Sequence, residues 1–344
     1  MASQTDQPQR LRVLSGLRPT GEIHIGHLAG ALRNWIELQK KYECYFFIAD
    51  WHALTTHYAD TSDLQRNIAG NVLDYLAAGI DPEQATLFVQ SDVPEHAELH
   101  LLLSLITPLG WLERVPSYKE QREQIRDKDL GTYGFLGYPV LQSADILMYR
   151  ADYVPVGEDQ VSHIELTREI CRRFNNYYGE VFPEPQPLLT ATPRVPGTDG
   201  RKMSKSYGNA ISLSDPEAAV REKVSNMITD PARQRRSDPG NPDICPVFAY
   251  HKLYSPQDTV EMVNVECRRA GIGCVDDKKL MTASLLQALA PIQERRRELE
   301  SKPSTVREVL EDGARKAKVT AEETMDRVRT AMNLKPGVEQ SAAE

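Results

Sequence analysis

Two histidines and two lysines stand far apart in this chain, yet their types suit one reaction. His24-Ile25-Gly26-His27 lies near the start, and Lys202-Met203-Ser204-Lys205-Ser206 well downstream. When the α-phosphate of ATP is attacked and pyrophosphate leaves, negative charge shifts onto the departing oxygens. Fixed cations and N–H donors stabilise that shift, and no side-chain nucleophile is required. Gly26 lets the backbone approach a ligand closely. A helix starting there offers unpaired N–H groups and a positive dipole end to a triphosphate. The competing readings are a His-x-x-His metal site and two surface histidines. A zinc site needs further Cys or His at motif spacing, and none follows. The lysines come after the turn-rich Pro196-Gly197-Thr198-Asp199-Gly200. Ammonium groups that reach the β- and γ-phosphates only on loop closure would stabilise the transition state more than bound ATP. A solvated basic loop is the plain alternative.

The elements that must position these groups are written as hydrophobic patterns. Arg12–Leu17 is a short β-prone run, broken by Arg18-Pro19-Thr20-Gly21. From Gly26, the residues Leu28, Ala31, Leu32, Trp35, Ile36 and Leu38 recur at helical spacing up to Tyr42. Cys44–Ala49 is a continuous apolar run of strand length, Ser62–Ala78 reads as an amphipathic helix, and Thr86–Val89 is strand-like. This rhythm predicts an α/β fold: a Rossmann-like, doubly wound parallel sheet with helices on both faces. Ligands of such sheets sit beyond the carboxyl ends of the strands, so the residues after Leu17 are placed for binding.

The last third changes character. Ser214-Asp215-Pro216-Glu217 has the capping-box pattern and opens a helix to about Met227. A second helix is expected over roughly Lys278–Ser301, with two more at Thr305…Glu308 and Thr320–Met332, and a loop over Pro231–Pro246. The expected division is a disordered tail at 1–11, a catalytic domain at 12–207 carrying both motifs, a C-terminal helical domain at 208–334 and a disordered tail at 335–344.

Composition bounds the function. The 344 residues, 40% hydrophobic, suffice for one large core or two unequal ones. No uncharged apolar run reaches the ~18 residues of a membrane span. The polar stretch Met1–Arg10 lacks the apolar core of a secretory signal, and five cysteines are an odd number for a disulfide framework. A cytoplasmic protein is expected. The formal charge of −8 argues against a general nucleic-acid coat but not against local basic contacts with an RNA.

In this order, behind a strand-like run, the two motifs resemble the paired signatures of class I aminoacyl-tRNA synthetases. Gly16-Leu17-Arg18-Pro19-Thr20-Gly21, Tyr138–Leu147 (YPVLQSADIL), Val154–Gln160 (VPVGEDQ) and His163–Arg168 (HIELTR) are similar to the tryptophanyl-tRNA synthetases, over about Arg12 to Leu334. The resemblance implies that L-tryptophan and ATP, with Mg²⁺, give tryptophanyl-adenylate and pyrophosphate, and that tRNA-Trp is then charged by a homodimer. It assigns catalysis to His24, His27, Lys202 and Lys205. It assigns ATP binding to Arg18, Pro19, Thr20, Gly26, Met203, Ser204 and Ser206, adenosine binding to Gly157, Glu158 and Asp159, and an adenine contact to Val195. Lys119 matches a lysine that reaches the phosphates, a surface lysine being the alternative.

Asp145 matches the aspartate that accepts the indole N–H, which fits a donor-only nitrogen facing a buried carboxylate; a salt bridge is the other reading. Tyr138, Val154 and Val156 match positions lining the indole pocket, with ordinary core as the alternative for the valines. Gln160 and His52 match polar residues close to the amino acid. Many members carry glutamine in place of Arg18, methionine in place of Gln142, and Thr and Asn in place of His24 and His27, so Gln142 brings a polar group to the indole pocket.

Some members also hold a [4Fe–4S] cluster on one distant cysteine and a Cys-x₆-Cys-x₂-Cys run. Here Cys245, Cys267 and Cys274 are in place, but Asp277 holds the fourth position. Thiolates are the usual ligands of such clusters, so a decayed site with three free thiols is expected, an Asp-ligated cluster being the alternative. Nearby Arg268, Arg269, Lys278 and Lys279 are candidates for the anticodon arm of tRNA. The apolar run Leu99–Leu112 is read as a helix, for a dimer interface or for core. Two other functions remain: a tyrosine-specific relative, and a non-catalytic paralogue that binds a protein partner. The intact His24, His27, Lys202 and Lys205 argue against the second.

Overall fold

The computed structural model describes residues 10–116, 118, 130–189, 195–204 and 207–335. Strands β1 (Arg12–Leu17), β2 (Glu43–Ile48), β3 (Ala85–Val89), β4 (Tyr153–Val156) and β5 (Gln186–Leu189) form one parallel sheet in the order β3-β2-β1-β4-β5. Val13 of β1 pairs with Cys44 on one side and Tyr153 on the other. The chain leaves β1 towards β2 and β3, then returns to build β4 and β5 on the opposite side. The order therefore reverses between β1 and β4, where doubly wound sheets open their ligand crevice.

Both faces of the sheet are covered, which explains why β2 reads as a nearly unbroken apolar run. Side chains alternate between two cores. Val13, Cys44, Phe46 and Leu87 face Leu32, Trp35, Val72 and Tyr75, and this core continues into Val220, Met281, Leu285 and Leu289 of the C-terminal third. Leu14, Tyr45, Phe47 and Phe88 face the other way, onto Leu99, Leu103, Val140 and Leu147 and onto Ala317, Ala321 and Met325 near the chain end. Among the described residues, no helix is long and apolar enough to cross a membrane.

The helix expected from Gly26 forms, but in three pieces. Helix α1 (Ile25–His27) runs into a π-helical turn, Leu28–Leu32, and then into α2 (Arg33–Leu38). Such wide turns occur often at functional sites, and hydrophobic spacing does not reveal them. Helices α3 (Asp50–His57) and α4 (Leu64–Ala78) follow. The Leu99–Leu112 run is not one helix: α5 (Glu95–Ser104) and α6 (Leu109–Leu112) are separated by Thr107-Pro108. Leu99, Leu103 and Leu112 are buried while Leu101, Leu105 and Leu109 are exposed, so the run serves core and surface together. Helices α7 (Tyr133–Met148) and α8 (Val161–Tyr178) flank β4.

Helix α9 (Glu217–Ser225) starts without the expected capping box. Pro216 is its N-cap, and Asp215 Oδ2 instead accepts from the Ser212 N–H at 2.8 Å and from Lys223 Nζ at 2.6 Å. Helices α10 (Pro246–Tyr254), α11 (Gln257–Arg268) and α12 (Cys274–Glu300) follow. The two short helices expected at the end are one, α13 (Pro303–Ala331). Gly313, its interior glycine, lies on β3 so closely that a Cβ would overlap the carbonyl oxygen of Leu87.

One ion pair couples α12 to α4. Asp74, buried, accepts from Arg296 Nε at 2.7 Å. Burial outweighs this partner and pushes the Asp74 carboxyl up to about 6. An acid whose folded pKa is raised binds a proton in the folded state that the unfolded chain has already lost. Its stabilisation is therefore complete below about pH 4 and falls as pH rises through about 6. The unfolding free energy of wild type relative to Asp74→Asn should drop by on the order of 2 kcal/mol between pH 4 and pH 7, as read by denaturant titration at both pH values. A difference that stays flat with pH would show that Asp74 does not titrate in this window.

Candidate active site

Beyond the carboxyl ends of β1 and β4 lies a cleft of about 410 Å³. Local structure explains which side chains reach it. Arg18 is the first residue after β1. Tyr138, Gln142 and Asp145, spaced by four and then three residues, share one face of α7. Val154 and Val156 are alternate residues of β4, and Gly157 and Gln160 come just after it; all of these, with His52 of α3, line the cleft. Arg18 is exposed to solvent at the cleft, and among the described residues no carboxylate pairs with its guanidinium. An anionic ligand is the partner such a cation lacks.

Asp145 is 1% exposed at the base of this cleft. Its Oδ1 takes Gln90 Nε2 at 2.8 Å and meets His96 Nδ1 at 2.6 Å, while Oδ2 lies 2.8 Å from His52 Nε2. Burial alone would raise its pKa; the contacts to His52 and His96 win and hold it below the ordinary carboxylate range. A carboxylate oxygen accepts about two hydrogen bonds. Among the described residues, Oδ1 is met by two fully buried groups, while Oδ2, on the side of the cleft-lining His52, keeps one acceptor position. An ionised acceptor facing the cleft selects a ligand with a donor at that depth.

The two sequence motifs meet at a second cluster. The His24 and His27 rings stack at 3.7 Å between centroids, and each Nδ1 accepts from the other's backbone N–H, at 3.3 and 3.4 Å. The pair thus caps its own helix start. Met203 Sδ stands 3.5 Å from where a Cβ on Gly26 would sit, so the downstream loop is packed against the first motif. Lys202 is exposed, Ser204 half-buried and Val195 buried. Pro19 is buried, and Thr20 donates its N–H to the Arg18 carbonyl at 2.9 Å in a tight turn. Glu158 is exposed in the turn Glu158–Gln160. None of His24, His27, Lys202 and Met203 lines the cleft that holds Asp145. Lys119, Lys205, Ser206 and the side chain of Asp159 lie outside the described residues.

Sequence reasoning missed Asn209, Gln90, His96 and Tyr149. Asn209, buried, organises the lysine loop: its Oδ1 accepts from the Ser204 N–H at 2.8 Å, and its Nδ2 donates to Asp199 Oδ1 at 2.7 Å and to the Lys202 carbonyl at 3.2 Å. Nothing in the linear pattern marks it. Gln90 and His96 follow the carboxyl end of β3, and the rule that places ligands there could have found them.

The cysteine cluster does not fit an iron–sulfur centre. Asp277, at the fourth ligand position, is engaged by His251 Nε2 at 3.1 Å, and Arg233 Nη1 points at Cys267 Sγ from 3.8 Å. Burial pushes the Cys245 and Cys267 thiols up, favouring S–H over thiolate. Among the described residues, no three His, Cys, Asp or Glu side chains are placed to hold a metal ion.

Comparison with known proteins agrees with this geometry. Residues 6–290 match the model of the class I tRNA synthetases for tryptophan and tyrosine. The tryptophan–tRNA ligase of Thermotoga maritima is 56% identical over 326 residues, 94% of this chain and 99% of the relative; that of Ralstonia nicotianae is 47% identical, with 94% and 98% covered. The crystal structure of tryptophanyl-tRNA synthetase from Campylobacter jejuni, complexed with ADP and tryptophan, superposes with a TM-score of 0.85 at 34% identity, covering 94% of this chain and all of that one. A parallel sheet with its cleft at the β1/β4 switch point, two distant motifs folded against each other and relatives matched end to end have one reading: the chain belongs to the tryptophanyl-tRNA synthetases, a family of class I aminoacyl-tRNA synthetases.

Proposed function

We infer that the cleft joins L-tryptophan to ATP, giving tryptophanyl-adenylate and pyrophosphate, and that the aminoacyl group then passes to the 3′-terminal ribose of tRNA-Trp. The observation that carries this reading is Asp145: an acceptor at the base of the cleft walled in part by Tyr138, Val154 and Val156, with, among the described residues, one hydrogen-bonding position left on its Oδ2. An indole N–H, which donates and cannot accept, is the complement. Tyr138, Val154 and Val156 form the wall for the ring, and Gln142, His52 and Gln160 supply the polar contacts around it. Arg18 meets the negative charge of the substrate carboxylate or α-phosphate. Gly157 lets the adenosine approach the backbone, with Glu158 and Asp159 at the ribose and Val195 against adenine. ATP enters as its Mg²⁺ complex, and His24, His27, Lys202 and Lys205, with Lys119, follow the charge onto pyrophosphate.

The remaining assignments rest on the same reading. Residues 12–207 act as the catalytic domain, and residues 208–334 bind the tRNA through Arg268, Arg269, Lys278 and Lys279. Two copies pair through the exposed Leu101, Leu105, Leu109 and Tyr133. With all five cysteines as free thiols, the site of action is the cytoplasm.

Pyrophosphate exchange with tryptophan and with tyrosine, followed by charging of tRNA, tests the reaction. Exchange that depends on tyrosine would give the enzyme to the other substrate. Binding of tryptophan and ATP without adenylate would leave a non-catalytic paralogue. Within the reaction, Lys205→Ala should lower the rate of adenylate formation roughly thirtyfold while changing ATP affinity little. That is less than the loss of a preorganised oxyanion donor, because an ammonium on a long, flexible side chain is a less fixed partner for charge. A raised ATP KM at unchanged kcat would reduce Lys205 to uniform binding.

A further inference from the structure

Asp145 is held from behind by groups that do not line the cleft. His96, at the start of α5 and fully buried, bridges two partners: its Nδ1 lies 2.6 Å from Asp145 Oδ1 and its Nε2 2.8 Å from the Tyr149 hydroxyl. Burial pushes the Tyr149 pKa well above that of an ordinary phenol, so the hydroxyl keeps its proton. Among the described residues, the hydroxyl's one hydrogen-bond partner is that imidazole nitrogen. With the phenol donating to Nε2, the ring proton sits on Nδ1, facing the carboxylate. The opposite tautomer would turn a lone pair towards Asp145 and favour a protonated carboxyl, a donor in place of an acceptor. The Tyr149 ring is itself fixed, stacked at 4.6 Å on Tyr45, whose hydroxyl meets Thr320 Oγ1 of α13 at 2.9 Å.

We propose that His96 and Tyr149 are positioning residues for substrate specificity: through a tautomer set by the tyrosine hydroxyl, they keep Asp145 an oriented, acceptor-only group for the indole N–H. The relay touches neither substrate. It rests on the reading that Asp145 accepts from indole, and the test separates the two.

The measurement is kcat/KM in pyrophosphate exchange for L-tryptophan and for 3-benzothienyl-L-alanine, in which sulfur replaces the N–H. Tyr149→Phe removes one oxygen and should lower the value for tryptophan about tenfold, carried by KM, while the sulfur analogue stays within about twofold. His96→Leu should lose more, and His96→Asn, which keeps an N–H donor near Oδ1, should recover most of that loss. Asp145→Asn is the reference. If it leaves the tryptophan-to-analogue ratio unchanged, the indole reading of Asp145 is wrong. If it shifts the ratio while Tyr149→Phe changes both substrates equally, or neither, the relay is structural only and the proposal falls. Should His96→Leu fail to fold, Tyr149→Phe alone decides.

Discussion

Gly313→Val is expected to cost the protein more than about 3 kcal/mol of stability, although the change improves on glycine's poor helix propensity. Glycine inside a helix is disfavoured by up to about 1 kcal/mol against residues with a side chain, so propensity favours the variant. The surroundings decide otherwise. A Cβ at 313 would overlap the carbonyl oxygen of Leu87, which belongs to the central region of β3 and cannot rotate aside as a flexible side chain would. Relief requires α13 to lift from the sheet, which opens the packing of Ala317, Ala321, Met325 and Val328, all fully buried. Denaturant unfolding of the two proteins gives the number directly. A midpoint equal to wild type would mean that α13 does not press on β3 at this residue.

Asp145→Asn should lower kcat/KM for tryptophan about 300-fold, some 3.4 kcal/mol, with little effect on ATP affinity. The amide can take two orientations, and the surrounding donors choose between them. With its NH₂ at the Oδ1 position it would confront both the Gln90 amide and the His96 Nδ1–H. With the NH₂ at the Oδ2 position it conflicts only with His52, which can present its other tautomer. The second orientation therefore wins, and it turns a donor towards the cleft where the indole N–H must bind. The loss exceeds that of a missing hydrogen bond because two donors are brought face to face. Retention of wild-type kcat/KM for tryptophan would make Asp145 a structural anchor and remove it from recognition.

The elements legible in the sequence share one property: their pattern is local. The apolar run Cys44–Ala49 and the spacing of Leu64, Ile68 and Val72 give β2 and α4 within two residues, because burial on two faces or on one stripe leaves a periodic trace. Misses occur where a distant partner decides. Thr305 and Thr320 look like two helix starts, yet Gly313 between them is demanded by β3 and breaks nothing. Ser214 and Glu217 look like the halves of a capping box, but Pro216 takes the N-cap position, and Lys223 and the Ser212 N–H claim the Asp215 carboxylate between them. In the site, Tyr138, Gln142 and Asp145 fall on one helix face and could be grouped from spacing alone. Asn209 could not, since it acts by bridging Asp199, Lys202 and Ser204 across a loop, and His96 is reached only through its position after β3.

The packing of α13 against β3 also bears on how the chain is made. Synthesis delivers β1, β2 and β3 well before α13, the helix that covers Tyr45 and Phe88. Domains tend to fold as they emerge, and exposed apolar surface on a partly built one invites aggregation. Here the sheet waits, with one of its faces incompletely covered, until α13 emerges, and that contact joins residues as distant in sequence as Leu87 and Gly313. Such contacts are slow to form because so much chain must be brought together first. Newborn molecules of this protein are therefore vulnerable until α13 has been made, and a chain cut before Pro303 would leave part of this apolar face uncovered.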